Sequence, residues 1–216
     1  MAPNSPPTDP LAVLTDSLRK LALRGDIRRF RKGHLLIQEG EHGDTLFIIL
    51  SGRMRAFGSD DKGREITYGS YGTGEFLGEI ILDGGPRSAS VITLEPCDCA
   101  VVTRQTLLQH IAEHPEFALD LMLKLIRQVR VSTGNAKRLA LSDVYGRLVM
   151  LLNSLAEEQA DGTRLIRERL THQDMANRLG CSREMVSRLM KDLEGGGYLA
   201  AANGSYTLLR PLPTRW

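Results

Sequence analysis

Residues 115–141 constrain this chain most. Ala118, Met122, Leu125, Val129, Ser132, Ala136 and Leu139 are spaced alternately by four and three residues, the seam of a coiled coil. The spacing predicts one helix over Pro115–Leu141. At 1.5 Å per residue it would run roughly 40 Å, long for a small domain, and its apolar stripe needs a partner. The stripe is greasy at its start and weakens at Ser132-Thr133-Gly134-Asn135, where polar residues and poor helix formers follow one another. A dimer helix with a tolerated polar patch accounts for this pattern. So does a dimer helix whose weak stretch is completed by a ligand. The flanking sequence has to choose.

Upstream, Leu11, Leu14, Leu18 and Leu21 predict a short amphipathic helix within 10–23, preceded by a Pro-rich tail over 1–9 that lacks the features of a secretory signal. The texture then changes to short runs rich in β-branched and aromatic residues: 27–30, 34–37, 45–50, 53–57, 65–71, 89–93 and 97–103. Glycine- and aspartate-rich turns separate them, among them Gly43-Asp44, Ser51-Gly52 and Asp60-Asp61-Lys62-Gly63. Many short strands at near-regular spacing predict an antiparallel sandwich or barrel over 10–114.

One interruption carries chemistry. Gly78-Glu79-Ile80-Ile81-Leu82 reads as a single helical turn, Asp83-Gly84-Gly85-Pro86 as a loop, and Arg87-Ser88-Ala89 as the opening of the next strand. Free N–H groups at a helix start, a guanidinium that stays charged and a serine hydroxyl together suit a phosphate. Glu79 is out of place beside an anion unless it accepts a hydrogen bond from a sugar hydroxyl of the same ligand. A salt bridge between Glu79 and Arg87 across the loop explains the pair equally well.

Beyond residue 142 the chain turns helical. Val144, Leu148, Leu151, Leu152 and Leu155 mark an apolar face over 143–156, with Ser142 or Asp143 as cap. Leu165-Ile166 suggests a short strand. In Thr171–Leu193, Thr171 caps one helix with Asp174 three residues on, Gly180 allows a sharp turn, and Ser182 caps a second helix. Met175, Ala176, Leu179, Met185, Val186, Leu189, Met190 and Leu193 face inward, which is a helix-turn-helix pattern. Arg183, Glu184 and Arg188, with Lys191, fall on the exposed face. Arginine suits guanine and glutamate a cytosine amino group, while Thr171, Gln173 and Ser182 sit at helix starts that favour phosphate. Asn203-Gly204 between Tyr198–Ala202 and Tyr206–Leu209 signals a type I′ hairpin, the wing of a winged helix.

Bulk charge does not carry the DNA reading. The formal net charge is +2, and residues from 142 onward hold 10 basic against 9 acidic groups, so placement must do it. Three cysteines (Cys97, Cys99, Cys181) suggest a reducing compartment. Cys97 and Cys99 would share one face of a strand with no further Cys or His near them to complete a metal site. His110 and His114 stand four apart without a carboxylate-flanked motif, and no triad suggests itself. No apolar run approaches the ~20 residues that span a bilayer.

Gly78-Glu79 followed by Arg87-Ser88-Ala89, behind this strand pattern, resembles the phosphate-binding cassette of cyclic-nucleotide-binding domains. Over nearly the whole chain the sequence is similar to the Crp/Fnr family of bacterial transcription regulators, most closely to its cyclic-AMP-receptor branch. The resemblance implies an α+β protein: an N-terminal β-roll of double-stranded jelly-roll type (10–114), a long dimerisation helix (115–141) and a C-terminal winged helix-turn-helix (142–216). It implies that Gly78, Glu79, Arg87, Ser88 and Ala89 hold the ribose and cyclic phosphate of cAMP, ahead of cGMP, with no metal. Ser132-Thr133 stands where the branch has a threonine-serine pair on the purine, in reversed order, one residue coming from the partner subunit. Met122, Leu125, Val129, Ala136 and Leu139 would form the dimer seam. Thr171, Gln173, Ser182, Arg183, Glu184, Arg188 and Lys191 would meet double-stranded DNA at a two-fold site with TGTGA-like halves. A cytoplasmic regulator, not an enzyme, that touches RNA polymerase is the expectation. A same-fold regulator that is constitutive or senses another ligand is the first alternative. A cupin-like metalloenzyme is the second, and it would need metal ligands on strands that carry only His34. The N-terminal cysteine cluster of the iron–sulfur branch is absent.

Overall fold

The computed structural model describes residues 11–61, 63–160, 162–202 and 204–213, and for 138–141 the backbone alone. The chain divides into two compact units, one built from residues up to Gly58 with Thr67–Val129, the other from Ser59–Ile66 with Arg130 onward. The expected tail over 1–9 lies outside the described residues.

The first unit is a sandwich of two four-stranded antiparallel sheets. Its strands are β1 (Asp26–Phe30), β2 (Leu35–Ile37), β3 (Thr45–Ser51), β4 (Met54–Ser59), β5 (Glu65–Tyr71), β6 (Phe76–Leu77), β7 (Ser90–Thr93) and β8 (Cys97–Thr103). One sheet runs β1-β8-β3-β6 and the other β2-β7-β4-β5, a double-sheet jelly roll. β3 is buried on both faces, and strand alternation decides what each face meets. Phe47 and Ile49 point between the sheets with Cys97, Cys99 and Val101 of β8. Leu46, Ile48 and Leu50 point the other way, with Ala100 and Val102, onto helices α1 (Asp16–Ala22), α2 (Arg104–Glu113) and α3 (Pro115–Leu141). Cys97 and Cys99 do share a face, and it is the sandwich core. Burial pushes the Cys99 thiol up to about 12, which makes both structural apolar groups.

Four elements differ from expectation. α1 is shorter than 10–23 and begins after Thr15, whose hydroxyl accepts from the Leu18 amide. β6 is too short to leave a periodicity. α2 has no long apolar stripe and is announced only by Thr103, which caps it by accepting from the Thr106 amide. His34 stands before β2 rather than in it.

α3 runs unbroken for 27 residues through Gly134 and Asn135. Phe117 and Leu121 are buried in the core of their own unit. The seam residues Met122, Leu125 and Val129 are 52%, 40% and 63% exposed in the single chain, and Ala136 is also exposed. For Leu139 only the backbone is described.

The second unit holds α4 (Val144–Leu155), capped by Asp143 accepting from the Gly146 amide, then α5 (His172–Leu179) and α6 (Arg183–Gly195). A small sheet ordered β11-β12-β10-β9 is built from β9 (Glu157–Glu158), β10 (Arg164–Ile166), β11 (Leu199–Ala202) and β12 (Ser205–Leu208). Its core joins Leu148, Leu152, Ile166, Met175, Leu179, Val186, Met190, Leu193, Leu199 and Tyr206. Ala202 pairs with Ser205 across a two-residue loop. Gly204 has φ +78°; Asn203, the other half of the hairpin signal, lies outside the described residues. No described helix is long and apolar enough to cross a membrane.

Candidate functional site

The Gly78–Arg87 stretch folds around a buried guanidinium. Gly78 has φ +91° and caps one turn of 3-10 helix, Glu79–Leu82. A Cβ at Gly78 would fall 2.9 Å from both Arg87 Nη1 and the Thr45 carbonyl oxygen. Only glycine fits there, for backbone and space together. Arg87 is 6% exposed. Its Nη1 donates to the Gly78 carbonyl at 3.1 Å, and its Nη2 to the carbonyl of Thr45 at 2.7 Å and its Oγ1 at 3.3 Å. Its backbone is held as well: the amide donates to Glu41 O, and the carbonyl accepts from Gly40 N. Gly43 opens the remaining side, since a Cβ there would come within 2.9 Å of Nη2. Burial draws the guanidinium below its ordinary range, and Asp44 and Glu79 oppose that.

The turn itself is anchored from α2. Arg104 donates through Nε to Ile81 O at 2.8 Å and through Nη2 to Leu82 O at 3.2 Å, filling the carbonyls that end the turn. Ser88 is exposed and Ala89 half-buried.

The ion pair weighed between Glu79 and Arg87 does not form. Lys124 of α3 takes that place: its Nζ donates to Glu79 Oε2 at 3.1 Å, and both side chains are only 12% exposed. Lys124 also donates to the Phe76 carbonyl and lies 3.7 Å from the Phe76 ring centre. Burial pushes the Lys124 ammonium down, and Glu79 pulls it back up. Beside it, burial first and Glu79 second push the Tyr71 phenol up, while a hydrogen bond with Gln128 lowers it. Reading the sequence for motifs missed Lys124 and Tyr71. The available signal was the stripe Phe117, Leu121, Lys124, Gln128, which lies off the coiled-coil seam and turns polar at Lys124. The structure thus gathers Gly78, Glu79 and Arg87. Ser132 and Thr133 lie exposed on α3.

The helix-turn-helix is held by its caps. Thr171 and Asp174 form a reciprocal capping box, Gly180 ends α5 with φ +64°, and Ser182 accepts from the Met185 amide. His172 Nδ1 and Ser187 Oγ, 2.9 Å apart, join the two helices, a link no sequence pattern announced. Arg183, Glu184, Arg188 and Lys191 are exposed, as are Thr171, Gln173 and Ser182. A hydrogen bond from its own backbone amide, and then the Ser182 hydroxyl, hold the Glu184 carboxyl below the usual range. Arg188 donates to Met185 Sδ at 2.9 Å.

Residues 27–114 match the family model of the cyclic nucleotide-binding domain, and residues 146–211 that of the Crp-like helix-turn-helix domain. The CRP-like cAMP-activated global transcriptional regulator of Mycobacterium tuberculosis is 33% identical over 174 residues, 79% of this chain and 78% of that protein. The cAMP-activated global transcriptional regulator CRP of Escherichia coli O6:H1 is 30% identical over 182 residues, 81% and 85% of the two chains. Among solved structures, the c-di-GMP responsive global regulator CLP of Xanthomonas campestris superposes with a TM-score of 0.80 at 27% identity, covering 89% of this chain and 97% of that one.

The Gly78 geometry makes a test. Gly78→Ala should destabilise the first unit by about 1–3 kcal/mol, because strain and collision act together. Gly84 has φ +75°, but a Cβ added there would meet nothing within 4 Å, so Gly84→Ala should cost less. Urea denaturation of both variants measures the difference, and equal midpoints would contradict it.

Proposed function

The chain belongs to the Crp/Fnr family of DNA-binding transcription regulators, which are not enzymes, and from that premise we propose a homodimeric regulator gated by a cyclic purine mononucleotide, cAMP ahead of cGMP. One observation carries the ligand reading. A buried arginine is held by backbone carbonyls rather than by a carboxylate, beside a glutamate whose charge is balanced from another element. Arg87 would take the cyclic phosphate with Ser88 and the Ala89 backbone, and Glu79 a ribose hydroxyl. Ser132 and Thr133, one of them from the partner, would reach the purine. Ligand would then order the weak stretch of the seam formed by Met122, Leu125, Val129, Ala136 and Leu139. The result is a coupling between effector and DNA sites.

On DNA, two copies of α6 would enter successive major grooves at a symmetric site with TGTGA-like halves. Arg183, Glu184 and Arg188 would read base edges, with Lys191, Thr171, Gln173 and Ser182 near the backbone. RNA polymerase is the further partner this reading expects, in the cytoplasm, with no metal. The domain limits proposed are 10–114, 115–141 and 142–216.

A cyclic dinucleotide is the second reading, because the similar CLP is described as responding to c-di-GMP. A DNA-binding titration without ligand and with cAMP, cGMP or c-di-GMP separates these. Gating by cAMP predicts tight binding only in its presence, and equal affinity in every state would mean a constitutive regulator. Arg87→Leu should lower nucleotide affinity by one to several decades, since truncating a buried charge contact costs about 2–5 kcal/mol; calorimetry reads this directly. Leu125→Asp should yield monomers in ultracentrifugation, and an intact dimer would count against the seam. Glu184→Ala should relax preference at one base pair of each half-site by roughly 1–3 kcal/mol. Selection from random DNA on wild type and variant checks that, and no symmetric site in any ligand state would sink the regulator reading.

A further inference from the structure

Lys124 is fully engaged within the chain. Its ammonium donates to Phe76 O and to Glu79 Oε2 and lies over the Phe76 ring. Only one oxygen of Glu79 is used this way; among the described residues Oε1 accepts no hydrogen bond. The charged and titratable groups around the pair come from four places. Arg87 lies in the loop before β7, Tyr71 ends β5, Asp44 and Glu75 are exposed on loops, and Arg127 is exposed on α3. Water screens the exposed three. The buried charges are then Glu79, Arg87 and Lys124, with a net charge of one positive.

A cyclic mononucleotide phosphate carries one negative charge, so the occupied pocket would be neutral. Without Lys124, the same ligand would leave one uncompensated negative charge beside a buried carboxylate. From this balance, and resting on the reading of the pocket as a nucleotide site, we infer that Lys124 is a positioning residue of the effector site. It balances Glu79 and fixes it by Oε2, and leaves Oε1 to accept a ligand hydroxyl next to a phosphate.

The opposite role is a latch that the ligand must displace. Pulling Glu79 away would strand a buried ammonium with only a carbonyl and a ring, and removing one partner of a buried ion pair is strongly unfavourable. A ligand hydroxyl on Oε1 needs no such displacement. The two roles give opposite signs when Lys124 is removed.

Calorimetric titration of the full chain with cAMP between pH 6 and 8 tests this. Wild type should bind with nearly constant affinity and no net proton exchange in buffers of different ionisation enthalpy. Lys124→Met should bind roughly 10- to 1,000-fold more weakly. Its affinity should fall further as pH rises, because the occupied pocket then carries one uncompensated negative charge. Lys124→Arg should restore most of the affinity and the flat profile. Tighter binding by Lys124→Met would establish the latch, and an unchanged affinity and profile would remove any role; either overturns the inference. If Lys124→Met does not fold, net proton uptake by wild type near pH 7 overturns it instead. Absence of any cyclic-nucleotide binding by wild type would be a different failure, that of the pocket's reading itself.

Discussion

Burying a guanidinium in a small β-domain sets hard terms, because each N–H that loses water needs an acceptor. Arg87 meets them with the carbonyls of Gly78 and Thr45, and the backbone comes that close only because positions 43 and 78 carry no Cβ. Those bonds account for part of the fork. Arginine has five N–H donors, and the described contacts employ Nη1 and Nη2 without exhausting them. A preorganised cation with donors in reserve is a poor structural element and a good anion receptor, since the cost of fixing it is met before any ligand arrives. The 3-10 turn, its anchor Arg104 and the loop of Gly40 and Glu41 all serve to keep that one side chain still.

α3 reaches this site through Lys124. Phe117 and Leu121 belong to the core of the first unit, Lys124 continues the same side into the pocket, and Met122, Leu125 and Val129 leave an apolar stripe uncovered on another side. Lys124 and Leu125 are neighbours in the chain but face different surroundings. Glu79 is therefore joined directly to α3 by the Lys124 ammonium, with no loop between them.

The long helix was legible to the residue, because 27 positions of repeating pattern leave little freedom. β3 and β8 were legible because their runs of β-branched residues are buried on both faces. β6 and α2 were not: one has two residues, and the other buries only Leu107 and His110. Within the pocket the local part could be read, since Gly78, Glu79 and Arg87 lie close together in the chain and their chemistry suggests a shared ligand. The partner of Glu79 could not, because it stands 45 residues away and a lone lysine on a helix is ordinarily a solvated one. That distance also explains why Arg87 was a plausible partner for Glu79 on paper. The nearer cation in sequence already had the carbonyls, and the farther one had the geometry.

In the second unit the same division between spent and free groups bears on DNA. The Thr171 hydroxyl donates to Asp174 Oδ2 at 2.6 Å and accepts from the Asp174 amide, and Ser182 accepts from the Met185 amide. These side chains are committed to starting the helices, a role worth about 0.5–2 kcal/mol each. Their contribution to a phosphate contact would come through the helix start they hold in place rather than through their own hydroxyls. Arg183, Arg188 and Lys191 have no such commitment to a cap or to a carboxylate among the described residues, and they are exposed along α6 while Val186, Leu189, Met190 and Leu193 are buried behind them. A unit with nearly balanced charge can still present a basic face, because its acidic groups are used elsewhere: Asp174 in the capping box, Glu168 on Arg178 and Glu157 on Arg167. What the net charge concealed is therefore a matter of which charges are already paired, and those left over lie along α6, the second helix of the helix-turn-helix.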